Sequence, residues 1–189
     1  QQDTKAGRNR TLLQTALAEH PGDRYLSYQL GKDHEVHGEY AQALPCYQAA
    51  WSDTDATTAW RHDLLVRLMY TLKKLGHFEA ALALAERERA QWQHSPDFHF
   101  TLGDVLLDAA LARPARAAEW LPLIEQAWLR AVEIGERPDL PDSLRGRGSY
   151  LAAHNLAAFH ASLGQQAQAA VQALPQPPRC QAFDRDIEH

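Results

Sequence analysis

One short phrase recurs along this chain and constrains its folding more than any other feature. Tyr28-Gln29-Leu30-Gly31 is followed by Gly38-Glu39-Tyr40, then by Ala43, Tyr47 and Ala50. Leu65, Leu68 and Leu72 are followed by Gly76-His77-Phe78, then by Ala81 and Ala85. A fainter copy runs from Leu156-Ala157 through Leu163-Gly164 to Ala169. The step from Gly38 to Gly76 is 38 residues, a unit of about 34 residues with a short loop extension. Such a period implies stacked units, since no single unit can bury its own apolar face.

The spacing inside each unit is helical. Leu64, Leu65, Leu68 and Leu72 share one stripe, as do Ala81, Leu82 and Ala85. Gly38, Gly76 and Gly164 fall between such stripes, where a helix commonly ends in a left-handed residue. Small residues at Gly31, Ala43, Ala50, Gly103 and Ala157 allow paired helices to approach closely. No segment sustains period-two alternation, so the expected fold class is all-α.

These residues resemble the tetratricopeptide repeat, with its Leu-Gly, its Gly-x-Tyr/Phe turn and its spaced Ala, Tyr and Ala. The resemblance implies a right-handed superhelix of about four helical hairpins behind a leading helix. It sets repeats at about 24–57, 62–95, 96–138 and 149–174, inside a domain of 9–174. Residues 1–8 are then a flexible N-terminus and 175–189 a flexible tail containing Pro175, Pro177 and Pro178. Leu12, Leu13, Ala16 and Leu17 fit the second helix of an incomplete leading repeat. The last repeat, opening near Ser149, is expected to have a short second helix. Departures are also expected. Pro45 falls inside a helix, which must start late or bend. About nine extra residues lie around Ala110–Trp120, and Pro122 suits the first turn of the resumed helix. Residues 136–149, with Pro138, Pro141, Gly146 and Gly148, read as a long loop.

A narrower resemblance rests on Arg145-Gly146-Arg147-Gly148-Ser149-Tyr150, then Asn155-Leu156-Ala157 and Leu163-Gly164. With Asn9-Arg10-Thr11-Leu12-Leu13, Ala16-Leu17 and Pro21-Gly22-Asp23, it is similar to the repeat-containing C-terminal tail of bacterial family 2 glycosyltransferases. That implies an accessory segment whose catalytic domain precedes it, and a chain starting at Gln1 instead of Met is expected to be an excised or processed piece.

Charge narrows the partners. Lys plus Arg number 19 against 24 Asp plus Glu, a net charge of -5, which opposes phosphate-rich nucleic acid and anionic membrane surfaces. Charges interrupt every apolar run before the roughly 20 residues needed to cross a bilayer. Residues 1–10 contain no signal-peptide core. Cys46 and Cys180 are far apart and form no metal-type pair, so free thiols in a cytoplasmic setting are expected, with a disulfide between them as the alternative.

No catalytic constellation is found, and no cofactor is expected. Asp53-Thr54-Asp55 has the metal-binding form of glycosyltransferases but follows a helix and precedes Ala56-Thr57-Thr58, so it reads as a turn or cap. Among the 10 histidines, His34 and His37 are spaced for two zinc nitrogens, with Glu35 and Glu39 nearby. His154 and His160 make no pair. Cys46 reads as a small core residue.

The resemblance to tetratricopeptide repeats points instead to the inner groove lined by each first helix. Its positions map to Tyr28, Lys32 and Glu35; to Val66, Arg67, Tyr70 and Lys73; to Phe100, Asp104, Leu107 and Asp108; and to His154, Asn155 and Ala158. Tyr and Arg are favoured interface anchors. The carboxylate clamp of some family members is not matched, because its places carry Tyr28, Lys32, Arg67, Asp97 and Thr101, and Asp97 repels a terminal carboxylate. The expected function is a non-catalytic scaffold holding a peptide or partner protein. Alternatives are a homodimer formed through Trp120, Leu121 and Leu123, and a metal-assisted enzyme built on His34 and His37.

Overall fold

In the computed structural model, backbone is described for residues 2–52, 54–55 and 57–172, and side chains from residue 8 to residue 165 within that span. The apolar stripes become eight α-helices: α1 (Gln2–Glu19), α2 (Arg24–Val36), α3 (Tyr40–Trp51), α4 (Arg61–Lys74), α5 (Phe78–Trp92), α6 (Pro96–Ala112), α7 (Ala117–Ile134) and α8 (Tyr150–Gln172). A single 3-10 turn, Pro114–Arg116, joins α6 to α7, and no strand occurs among the described residues. The chain divides into two compact units, Gln1–Leu156 and Ala157–His189. No described helix is long and apolar enough to cross a membrane.

Helix starts follow from capping chemistry. The Asp23 carboxylate accepts the Leu26 N–H at 2.9 Å and the Ser95 hydroxyl accepts the Phe98 N–H at 3.1 Å, each answering an amide that has no partner inside the helix. Pro96 at the first position of α6 has a fixed φ already suited to a helix. The turns after α2 and α4 reverse through Gly38 (φ 73) and Gly76 (φ 72), left-handed positions that a Cβ would strain.

The first unit contains three hairpins, α2/α3, α4/α5 and α6/α7, with α1 packed on α2. Side-chain volumes alternate inside them. Gly31 faces Tyr47 so closely that a Cβ there would sit 2.5 Å from the ring, and Gly103 faces Trp128 with a clearance of 2.4 Å. The middle hairpin reverses the sizes, with buried Met69 on α4 and buried Ala85 on α5 at the corresponding positions, 38 residues on from Gly31 and Tyr47. Tyr47, Trp128, Phe98, Leu64, Leu65 and Ile124 are fully buried, each worth about 1.5–3 kcal/mol of transfer free energy.

Several expectations are corrected. Helix α1 is already helical at Gln2, so residue 8 is not a boundary of the leading helix. Helix α3 does not start late: it begins at Tyr40, and Pro45 lies inside it and withholds an amide from the Ala41 carbonyl. The extra residues around Ala110–Trp120 lengthen α6 to 17 residues and α7 to 18 instead of forming a loop. Pro122 is therefore an interior residue of α7, not a first-turn one. Helix α8 runs unbroken through Gly164, so the last segment has no turn and no second helix there. Residues 136–149 do form the long connection expected of them. The tail 175–189, Asp53 and Cys180 lie outside the described residues, and Cys46 is a free thiol.

Candidate functional site

The first helices of successive hairpins run in the same direction. Tyr28 and Glu35 of α2 meet Asp63 and Arg67 of α4 in the same order, and His62 and Lys73 of α4 meet Ser95 and Asp104 of α6 in the same order. What joins them is a ladder of charged and aromatic side chains, assembled from most of the residues mapped to the groove.

Its first rung is the most buried. Tyr28 is 1% exposed, stacks on Trp60 with centroids 5.0 Å apart, and donates its hydroxyl to Asp63. Burial and then that bond hold its phenol well above the usual tyrosine range. Lys32 lies along the rung, with Nζ 3.4 Å from the Tyr28 hydroxyl. Arg67 donates to Asp63 through Nε and to Glu35 through Nη1 at 3.0 Å, while Tyr47 donates to the other Glu35 oxygen. Burial pulls the Arg67 guanidinium down, but Asp63 and Glu35 outweigh it and leave it above its ordinary value. One buried anion, Asp63, and one half-buried anion, Glu35, thus converge on one guanidinium, a planar fork that suits two acceptors.

Further along, Tyr70 meets Tyr40 edge-on at 6.0 Å. Lys73 reaches Asp108 at 3.3 Å and Asp104 at 3.9 Å. Asn155 donates to Asp104 at 3.2 Å, and burial pushes the Asp104 carboxyl up despite Lys73. Arg147 lies over Phe100, 5.6 Å from the ring centroid. His154 is exposed on α8.

The structure therefore unites Lys32, Glu35, Arg67, Lys73, Asp104, Asp108 and Asn155 in bonded contacts, and places Tyr70 against Tyr40. Tyr28 and Val66, mapped to the expected groove, are both buried. Asp63, which sequence reasoning passed over, is the shared acceptor of the first rung, and its place four residues before Arg67 is the signal that could have found it.

Other candidates are engaged elsewhere. His34 bonds Glu39 at 2.6 Å and His37 bonds the Asp33 carbonyl at 2.6 Å, so the two rings are committed to different partners. His34 and then Arg10 hold the Glu39 carboxyl below its usual value. Among the described residues no three His, Cys, Asp or Glu side chains are grouped to hold a metal ion. Asp55 accepts from the Thr57 amide at 2.7 Å and from its hydroxyl at 2.6 Å, the turn expected from its place between a helix and Thr57-Thr58. Burial pushes the Cys46 thiol up, away from the thiolate a nucleophile needs.

A cleft lies between α5 and α7, with α6 as its floor. This cleft of about 860 Å³ is lined by Leu82, Leu102, Leu106, Trp120, Leu123 and Leu129 among others. Leu102 and Leu106 leave α6 on the side roughly opposite Asp104, at about 100° per residue. Trp120 is 5% exposed, which corrects its expected place on an exposed dimer surface, while Leu123 beside it is 45% exposed.

No protein-family model matches the chain, and no curated protein matches it.

Proposed function

We propose that this chain is a non-catalytic scaffold of tetratricopeptide type, a right-handed stack of helical hairpins that holds an extended peptide or partner protein along its first helices. The observation that carries this reading is the ladder from Lys32 to Asn155. Its charges fix the register of neighbouring hairpins, while Asp108 keeps 41% of its side chain exposed, and Lys32 and Tyr70 are only partly covered. An aromatic ring between a cation and an anion is suited to polypeptide, offering apolar area and orientation together. The raised Cys46 thiol and the separately bonded His34 and His37 favour a binding role over a catalytic one.

The runs Asn9–Asp23 and Arg145–Tyr150 support a finer version. In it the chain is the accessory region of a glycosyltransferase-like cytoplasmic protein and presents a polypeptide to the transfer enzyme. The test is capture by immobilised chain, compared with the variant Lys32→Glu/Tyr70→Ala. The reading expects polypeptides retained by the wild type and lost by the variant. A set retained equally by both, or none retained by either, contradicts it.

A second reading, self-association, draws on the exposure of Leu123 (45%), Leu129 (44%) and Val132 (38%) along α7 beside the cleft. Light scattering over a concentration series decides it, since a monomer throughout rejects that reading.

A further inference from the structure

The connection from α7 to α8 is a compact loop closed at its own neck. Gly148 passes so near Gly135 that a Cβ would lie 2.2 Å from the Gly135 carbonyl oxygen. Glu136 Oε1 accepts the Gly146 N–H at 2.8 Å and also the Ser149 hydroxyl. Loops with closed ends and a packed body often carry function. The neck is thus closed by groups at 135–136 and 146–149, and the body of the loop runs between them.

That body lies across the N-terminal ends of α4 and α6. Asp97, whose side chain is 1% exposed, takes three bonds from it: the Ser143 hydroxyl at 2.6 Å, the Leu144 N–H at 3.0 Å and Arg147 Nη1 at 3.0 Å. Phe100, one turn along α6, lies beneath the Arg147 guanidinium. The His62 ring nitrogen Nδ1 meets the Pro141 carbonyl at 3.3 Å, and Arg137 donates to the His94 carbonyl at 3.1 Å. His62, Asp97 and Phe100 belong to the same first helices that form the ladder, and His94 to the connection just before α6. The bound segment is a run of turns, closed by the Leu140 N–H on the Arg137 carbonyl, the Ser143 N–H on the Leu140 carbonyl and the Arg147 N–H on the Leu144 carbonyl; it contains two prolines and presents Leu144 at 50% exposure. Its contacts are those of a peptide bound to a surface: a hydroxyl, a main-chain amide and a charged fork on one carboxylate, with the cation also over a ring. Asp97 also lies in the first turn of α6, where a carboxylate is stabilised by the helix dipole, so it can stand without an occupant.

We propose that His62, Asp97 and Phe100 form a docking site for a turn-forming polypeptide segment bearing a hydroxyl residue with an arginine four positions later, and that residues 137–147 are its resident occupant. The proposal rests on the scaffold reading and specifies one place on its face. A partner segment of this pattern competes with the loop, so affinity depends on how readily the loop leaves.

The experiment uses a fluorescent peptide of residues 137–148 and the chain with Arg137–Arg147 replaced by a short Gly-Ser link. Fluorescence polarisation is expected to show binding to the loop-replaced chain. Binding should be weaker by about tenfold or more with intact chain, with a peptide carrying Arg147→Ala, or with the loop-replaced chain carrying Asp97→Asn. No binding to a loop-replaced chain that keeps its helical circular dichroism overturns the proposal, as does equal binding to the intact chain. If loop replacement unfolds the chain, the full chain carrying Arg147→Ala takes its place. It must bind the peptide more tightly than wild type does, and failure there overturns the proposal equally. A partner captured through Lys32 and Tyr70 while the peptide fails to bind removes this site alone; no captured partner removes the scaffold reading itself.

Discussion

At Gly31 and Gly103 the partner helix leaves room for a hydrogen and nothing larger. Alanine at either place drives a methyl into Tyr47 or Trp128, both rings being fully buried. Each substitution should cost about 1–3 kcal/mol, because a close-packed interior yields only through strained rotamers or backbone shifts. Gly164 is the control: nothing lies within 4 Å of an added Cβ, and alanine in a helix interior should gain about 0.5–1 kcal/mol. Thermal melts of the three variants check the contrast. His99 supplies the pH dependence. It is 8% exposed with its Nε2 3.1 Å from the Gln93 carbonyl, and burial holds its imidazole below the ordinary 6.5. The unfolded chain then binds more protons than the folded one between those two values. Stability is therefore fully present above 6.5 and declines as pH falls towards the folded value. Unfolding midpoints of His99→Gln should decline less over that window than those of wild type. Tyr28 shows what single residues conceal. Its helical position suggested a groove contact, but a Trp60 ring 5.0 Å away and the Asp63 carboxylate bury it.

Helices α2, α4 and α5 were legible in place, because apolar stripes, Gly38 and Gly76 agree on where they turn, while the start of α3 was obscured by Pro45. Two elements were not. Ala117, Ala118 and Glu119 are strong helix formers, and they start α7 five residues before Pro122. Leu163-Gly164 repeats the turn phrase but is followed by Gln165-Gln166 instead of the aromatic residue found at Tyr40 and Phe78, and α8 continues through it. Propensity without that aromatic anchor favours the longer helix. The interior prolines give a prediction at this scale. Replacing Pro122 with alanine restores an amide to the Ala118 carbonyl and removes a ring clash, which should stabilise α7 by about 1–3 kcal/mol. A chemical-denaturation midpoint that falls, or does not move, contradicts this account of α7.

In the first unit, bonds cross every boundary between hairpins: Glu35 to Arg67, Lys73 to Asp104 and Asp108, and Asp104 to Asn155 within Gln1–Leu156. Removing one partner from such a half-buried set leaves its fellow desolvated and unpaired, so the ladder acts as one surface with a fixed register. Most of it was readable from residue types at helical spacing, Asp63, Tyr40 and Tyr47 being the members that were not. The loop on Asp97 was not, since Arg147 lies 50 residues away in sequence and no local pattern links them. The central claim is that this surface, and not the α5–α7 cleft, meets other polypeptides. Its most direct test places a photo-crosslinking amino acid at Tyr70 in one variant and at Leu123 in another, followed by illumination in cells. The account predicts crosslinked polypeptide from position 70 and little from position 123. Adducts from position 123 alone, or from neither, would contradict it.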